Sequence, residues 1–341
     1  MSSIPTDMHF AQPDPAAAGW QALPPEYAIP EHAPSLEEAQ QYCSRLAHSH
    51  YENFSVVTWF LPKHLHQHFY NVYAYCRISD DLGDEVGNPQ QSLALLDAWE
   101  AELNATYMSL VDPAPQDIRQ DVEKLQAEAP ARNPITPRHP VFIALRETIR
   151  EFDIPRDPFA NLLTAFRQDQ TTTRYLSFED VLGYCKNSAN PVGHLVLYLC
   201  GYRDAERQQL SDYTCTALQL ANFWQDVAVD YGKGRIYLPL ESLTKFGVSE
   251  SDIADRRATP QFLAMMKFEV ARAREWFAKG LPLIGKVDKH LATDLDLFSR
   301  GGLEILNAIE QQGYDVLKSR PSISKPRKLW LVARAAVGKM L

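Results

Sequence analysis

Apolar side chains recur along this chain at a spacing near 3.6 residues. From Phe262 to Phe277 they fall at Phe262, Met265, Met266, Val270, Ala273, Trp276 and Phe277, one broad stripe of an amphipathic helix. Helix starts are marked as clearly as helix faces. Ser35-Leu-Glu-Glu38 is a capping box, and Ser177-Phe-Glu-Asp180, Ser249-Glu-Ser-Asp252 and Thr259-Pro260 carry the same kind of signal. Alternating patterns bounded by turn dipeptides are scarce, glycine is limited to 15 residues, and no internal repeat stands out. Seven prolines (Pro5, Pro13, Pro15, Pro24, Pro25, Pro30 and Pro34) predict an extended tail over 1–34. Pro130, Pro134, Pro137 and Pro140 predict a loop between helices. The pattern therefore predicts one all-α domain over 35–320, with a basic and then apolar segment over 321–341.

Composition adds limits rather than a function. The chain has 341 residues, 45% hydrophobic, enough for a sizeable core. Its 43 acidic and 34 basic side chains leave a net charge of −9, which argues against a nucleic-acid partner. Phosphorylated ligands stay open, because carboxylates can hold a divalent cation that holds phosphate. The five cysteines (Cys43, Cys76, Cys185, Cys200 and Cys215) lack CxxC spacing and read as free thiols of a reducing compartment. No secretory signal pattern opens the sequence, and its longest apolar run, 191–202, is too short to span a bilayer. A cytoplasmic protein is expected. The basic and apolar 321–341 segment could rest on the inner face of a membrane or dock on its own domain.

The excess acid is concentrated in two places. On a helix over 73–85, Asp80 and Asp84 are i,i+4 neighbours, with Tyr73 and Arg77 continuing the stripe. Asn222, Asp226 and Asp230 form a second stripe among Leu218, Leu220, Phe223 and Trp224. Either alone reads equally well as a solvated acidic face. Like charges at i,i+4 destabilise a helix by roughly 0.2–0.5 kcal/mol, so the spacing favours a bound cation. Oxygen-only ligands suit Mg²⁺, which bridges readily to phosphate. A di-iron bundle would need Glu-x-x-His, and none of the ten histidines has an acid three residues before it. Lys233 and Arg235 follow the second stripe and suit a diphosphate, or simply cap the helix end. Lys63-His-Leu-His-Gln-His68 looks metal-like, but alternate residues do not share a helical face.

Arg77-Ile-Ser-Asp80-Asp81-Leu-Gly-Asp84, Tyr184 with Asn190-Pro-Val-Gly193, Gln219-Leu-Ala-Asn222-Phe-Trp-Gln-Asp226-Val-Ala-Val-Asp230 and Gly234-Arg-Ile-Tyr237-Leu-Pro239 occur in one ordered set. This set resembles the squalene/phytoene synthase family from about His50 to Arg320. The resemblance implies an isoprenoid synthase fold, a single helical domain with two aspartate-rich helices facing each other across a deep apolar cavity. It implies that Asp80, Asp84, Asn222, Asp226 and Asp230 bind Mg²⁺ ions holding a prenyl diphosphate. It assigns His50, Tyr51, Asn53, Phe54 and Arg77 to diphosphate contact. Tyr73, Tyr184, Asn190, Gln219, Lys233, Arg235, Tyr237 and Tyr314 fall at the pocket or its polar end. For Tyr314, a core aromatic is the better reading without the resemblance.

Two departures narrow the expectation. Condensing members of the family carry Arg and Glu where this chain has Gln225 and Val229. The loss of both charges implies a site handling less diphosphate and metal charge. The strings His50-Tyr-Glu-Asn-Phe54, Ser188-Ala-Asn-Pro-Val-Gly193 and Asn222-Phe-Trp-Gln-Asp226 resemble the bacterial hydroxysqualene synthase branch. The implied reaction takes presqualene diphosphate and water to hydroxysqualene and diphosphate. Other enzymes supply the substrate and consume the product on a bacterial route to squalene and hopanoids. Presqualene diphosphate synthesis from two farnesyl diphosphates is the alternative, followed by phytoene or dehydrosqualene synthesis. A catalytically silent scaffold for a lipid-synthesis complex is the non-enzymatic reading.

Overall fold

The computed structural model describes residues 27–49, 61–110, 136–324, 326–328, 330–331 and 333–334. Among these the chain runs through α1 (Leu36–Ser49), α2 (His66–Asp84), α3 (Pro89–Met108), α4 (Pro140–Phe152), α5 (Asp157–Gln168), α6 (Phe178–Ser188) and α7 (Asn190–Leu199). It continues through α8 (Ala205–Gly232), α9 (Leu240–Phe246), α10 (Glu250–Ala254), α11 (Pro260–Gly280) and α12 (Lys289–Gln311). No strand forms among the described residues; the one β-bridge joins Arg174 to Ile236. The all-α expectation holds, and the helix starts fall where the caps predict. The side chain of Ser177 accepts from Asp180 N while Asp180 accepts from Ser177 N, and Ser249 and Asp252 repeat the arrangement. Thr259 caps α11 by accepting from Phe262 N.

Two apolar clusters make the core. One gathers Tyr75, Ile78, Trp99, Phe142 and Phe159 between α2, α3, α4 and α5. The other gathers Trp224, Phe262, Met266, Phe277 and Leu306 where α8 lies against α11 and α12. The first cluster carries the Asp80–Asp84 stripe and the second carries the Asn222–Asp230 stripe. Gly83 makes the first placement possible: a Cβ there would lie 3.1 Å from Phe166 Cβ, so α5 presses on the α2 backbone.

The tail prediction needs trimming. Residues 27–34 are described, and the Tyr27 hydroxyl donates to Asp81 at 2.7 Å, so ordered contacts begin before Ser35. At the other end, Arg327 donates to Glu304 at 2.7 and 3.1 Å and Leu331 is buried, which docks that part of the segment on its own domain. The cysteines are free, with Cys43 and Cys185 buried. His66 bonds the Leu61 carbonyl while His68 faces Thr148 and Glu151, so the histidine run points in different directions. No helix among the described residues is long and apolar enough to cross a membrane.

Candidate active site

α2 and α8 present their acidic stripes to one polar cavity of about 330 Å³. It is lined by Asp80, Asp84, Asp169, Tyr184, Gln219, Asn222, Phe223, Asp226, Asp230, Lys233, Arg235 and Tyr237. The chain after α8 reaches the cavity because Gly234, at φ +83°, turns it back. Ile236 N then donates to Thr173 O at 2.9 Å and Leu240 N to Tyr175 O at 2.9 Å. That pairing holds Arg235 and Tyr237 over the cavity. Arg235 donates to Asp84 at 2.8 Å, and Lys233 lies 3.5 Å from the same carboxylate, so the two walls meet through ion pairs.

The acids are crowded and partly dry. Burial first, and the neighbouring Asp84 charge second, push the Asp80 carboxyl up to about 7. Burial and then Asp226 push Asp230 up to about 7, against the pull of Arg235 and Lys233. A site that raises carboxyl pKa values in this way gains from a bound cation, which removes the repulsion among the acids. Among the described residues no three carboxylates, histidines or thiols converge on one point. Asp80, Asp84, Asn222, Asp226 and Asp230 line one cavity and offer only oxygen donors, the ligand type that suits a hard divalent cation such as Mg²⁺.

Two residues that the sequence reading did not single out belong here. Asp169, just past α5, is buried at 7% exposure and accepts from Tyr184 Oη at 2.7 Å and from Tyr237 Oη at 3.4 Å. Burial pushes it up to about 6 even though Tyr184 and Arg235 favour its charged form. Arg320, beyond α12, pairs bidentately with Asp226, with Nη2 3.0 Å from Oδ2, and also donates to Gln225 Oε1 at 3.1 Å. Gln225 is buried and donates to Pro321 O at 2.6 Å, which fastens the segment carrying Arg320. Asp169 and Arg320 stand outside both acidic stripes, and only folding brings them in. Arg320 thus brings a guanidinium beside Gln225 and onto Asp226. Val229 is 47% exposed and brings no charge to the cavity.

Other expectations separate from the cavity. Arg77 turns to Asp81, donating from Nε at 3.0 Å, because Asp81 is its i+4 neighbour and nearly fully buried. Asn190 is buried outside the cavity lining, accepting from Thr216 Oγ1 at 3.0 Å. Tyr314 sits in the turn after α12 at φ +66° and donates to Glu310 at 3.2 Å, away from the cavity lining. Tyr73 is half-buried beside Arg77 and outside that lining. His50, Tyr51, Asn53 and Phe54 lie outside the described residues.

Aromatic rings floor the polar cavity. Phe223 stacks on Tyr237 with centroids 3.9 Å apart, and Tyr175 and Tyr184 surround Tyr237 at 5.6 and 5.5 Å. A second cavity of about 200 Å³, almost wholly apolar, follows α8 toward its N-terminus. Phe69, Val192, Val196, Leu218, Leu295 and Phe298 are among its walls. Ser211, Cys215 and Leu218 of α8 line the apolar cavity, and Gln219, Asn222, Asp226 and Asp230 line the polar one. One helix thus lines a carboxylate-rich cavity with one stretch and an apolar cavity with another.

The sequence profile described as squalene/phytoene synthase matches residues 47–327. The chain belongs to the squalene/phytoene synthase family. Squalene synthase HpnC from Alicyclobacillus acidocaldarius is a similar solved structure, 43% identical with a TM-score of 0.70, over 82% of this chain and 95% of that one. A dehydrosqualene synthase solved with a ligand is 25% identical with a TM-score of 0.71, over 89% and 96% of the two chains. The 15-cis-phytoene synthase of Synechococcus elongatus is 28% identical over 86% of this chain and 91% of its own length. The fold is the isoprenoid synthase fold, and the family acts on prenyl diphosphates.

Proposed function

We propose that this protein converts presqualene diphosphate and water into hydroxysqualene and diphosphate, with Mg²⁺ as cofactor. The observation that carries the reading is its 43% identity to the squalene synthase HpnC, against 28% to the phytoene synthase of Synechococcus elongatus. The motif strings around Asn190 and Asn222 point the same way. Departure of diphosphate needs its developing charge stabilised, which Mg²⁺ on Asp80, Asp84, Asn222, Asp226 and Asp230 would supply. Lys233, Arg235 and Arg320 would exchange their present carboxylate partners for diphosphate oxygens. The faces of Phe223, Tyr184 and Tyr237 favour the carbocation left behind, and the apolar cavity shields its prenyl arms from stray water. When water adds to the cation, its oxygen lone pair forms the C–O bond and a proton leaves. Asp169, joined to Tyr184 at the cavity wall, would receive that proton.

A condensing activity is the second reading, favoured by the guanidinium that Arg320 supplies. Purified protein with Mg²⁺ is to be incubated separately with presqualene, farnesyl and geranylgeranyl diphosphates, and the lipids identified by mass spectrometry. Hydroxysqualene from presqualene diphosphate alone is the expected result. Presqualene diphosphate from farnesyl diphosphate, or phytoene from geranylgeranyl diphosphate, would replace the first reading with the second. A scaffold would survive Asp80→Ala and Asp226→Ala with its cellular role intact, whereas the enzyme loses turnover and stays folded.

A further inference from the structure

The turn that follows α8 sets two cations on either side of its most pliable residue. Lys233 and Arg235 both reach Asp84 across the cavity, and Gly234 stands between them at φ +83°. Glycine has the widest backbone freedom of any residue, so a small rotation at Gly234 would move both cations at once. The N–H groups of the turn are tied to the end of α8. Gly234 N donates to Tyr231 O at 2.9 Å and Arg235 N to Asp230 O at 2.8 Å. The carbonyl side of the turn needs an anchor of its own.

That anchor is Arg174. Its guanidinium donates from Nη1 to Gly234 O at 2.7 Å and to Thr173 O at 2.8 Å. From Nε it donates to Glu250 Oε2 at 3.2 Å, and Nη2 pairs with Oε1 of the same carboxylate. Glu250 opens α10, so one fork ties together residues 173–174, the turn at 234 and the start of that helix. The bond from Arg174 draws the Glu250 carboxyl below the usual carboxylate range, as a standing ion pair does. Arg174 is itself firmly seated. Its backbone bridges to Ile236, and the next residue, Tyr175, is buried and stacks on Tyr237. Neither Arg174 nor Glu250 lines the polar cavity. An ion pair between partly exposed groups adds little to stability, so the grip on Gly234 asks for another account.

We infer that Arg174, held by Glu250, is a positioning residue that fixes the turn so that Lys233 and Arg235 face the diphosphate. This rests on the reading of those two cations as diphosphate ligands and adds the residues that hold them in place. Arginine suits the task because its planar fork can meet a carboxylate and backbone carbonyls together, whereas a lysine ammonium is a single point charge. Cations fixed before the anion arrives need no reordering when it binds, and a displacement of about 1 Å in such a site costs about a hundredfold in rate.

The test uses the full-length protein with Mg²⁺ and inorganic diphosphate. Binding is read by titration calorimetry, and backbone opening by hydrogen exchange and mass spectrometry. Arg174→Ala should weaken diphosphate binding about tenfold. It should also speed exchange in peptides covering 231–237 while exchange elsewhere stays the same. Arg174→Lys keeps the charge without the fork and should lose nearly as much. In a Lys233→Ala, Arg235→Ala background, Arg174→Ala should weaken binding no further, because Arg174 acts through those two cations. Full binding by Arg174→Lys overturns the assignment, since charge alone then suffices. So does an equal loss in the double-alanine background, or unchanged exchange at 231–237. Should Arg174→Ala not fold, Glu250→Gln decides on the same readouts, with about a threefold loss expected. A wild type that binds no diphosphate in Mg²⁺ refutes the reading of the cavity. The exchange measurement needs no ligand and tells that failure apart from a failure of Arg174 to hold the turn.

Discussion

Asp80 holds its proton more tightly in the folded chain than an exposed aspartate does, since burial and Asp84 lift it to about 7. Its favourable contribution is therefore complete below about pH 4, the range of an unfolded Asp, and is lost as the pH rises toward 7. In EDTA, Asp80→Asn should melt higher than wild type at pH 8, with the gap closing toward pH 5, by differential scanning fluorimetry. The same substitution should lower turnover with Mg²⁺ by about 10²–10³, the cost of losing one contributor to charge stabilisation at the reacting end. An Asp80→Asn protein that melts below wild type at pH 8 would contradict the electrostatic account. Arg320 offers a second measurement. Its side chain is half-exposed, so Arg320→Ala should shift the melting temperature little. It should nevertheless reduce kcat/KM by about tenfold to a hundredfold, because a charge-assisted hydrogen bond to diphosphate is worth about 1.5–3 kcal/mol. Unchanged kinetics would leave Arg320 as a tether of the C-terminal segment only.

At the scale of elements, close approach of helices matters as much as their apolar faces. A Cβ on Gly193 would lie 2.3 Å from Ser211 Oγ and 2.6 Å from Cys215 Sγ, so α7 and α8 meet there without room for a methyl group. Gly193→Ala should cost about 1–3 kcal/mol, read as a lower urea midpoint at unchanged m-value. Gly193, Ser211 and Cys215 also line the apolar cavity, so the same variant should weaken prenyl binding. Helix starts and faces were legible in the chain because capping and 3.6-residue periodicity are local. The face that Arg77 chose was not: Asp80 and Asp81 compete for it at i+3 and i+4, and the burial of Asp81 decides. Asn190 and Tyr314 show the same limit, since a motif position carries no record of which neighbour a side chain turns to.

For the whole molecule, the negative charge becomes intelligible once the two stripes face each other. Mg²⁺ and inorganic diphosphate together should raise the melting temperature by several degrees, as expected of ligands that bind only the folded state, and each alone should do less. A rise of equal size with diphosphate alone would argue against a metal bridge. The sequence by itself determined an all-helical chain, the two oxygen stripes and the family they resemble, because periodicity, caps and motif spacing are written in neighbouring residues. Tertiary structure decided which acids converge. Asp169 joins the cavity and Arg320 reaches Asp226 from segments far from either stripe, and the backbone pairing of 173–175 with 236–240 brings Arg235 to Asp84. Each is a contact between distant parts of the chain, set by how whole helices pack, and local sequence carries no signal for it.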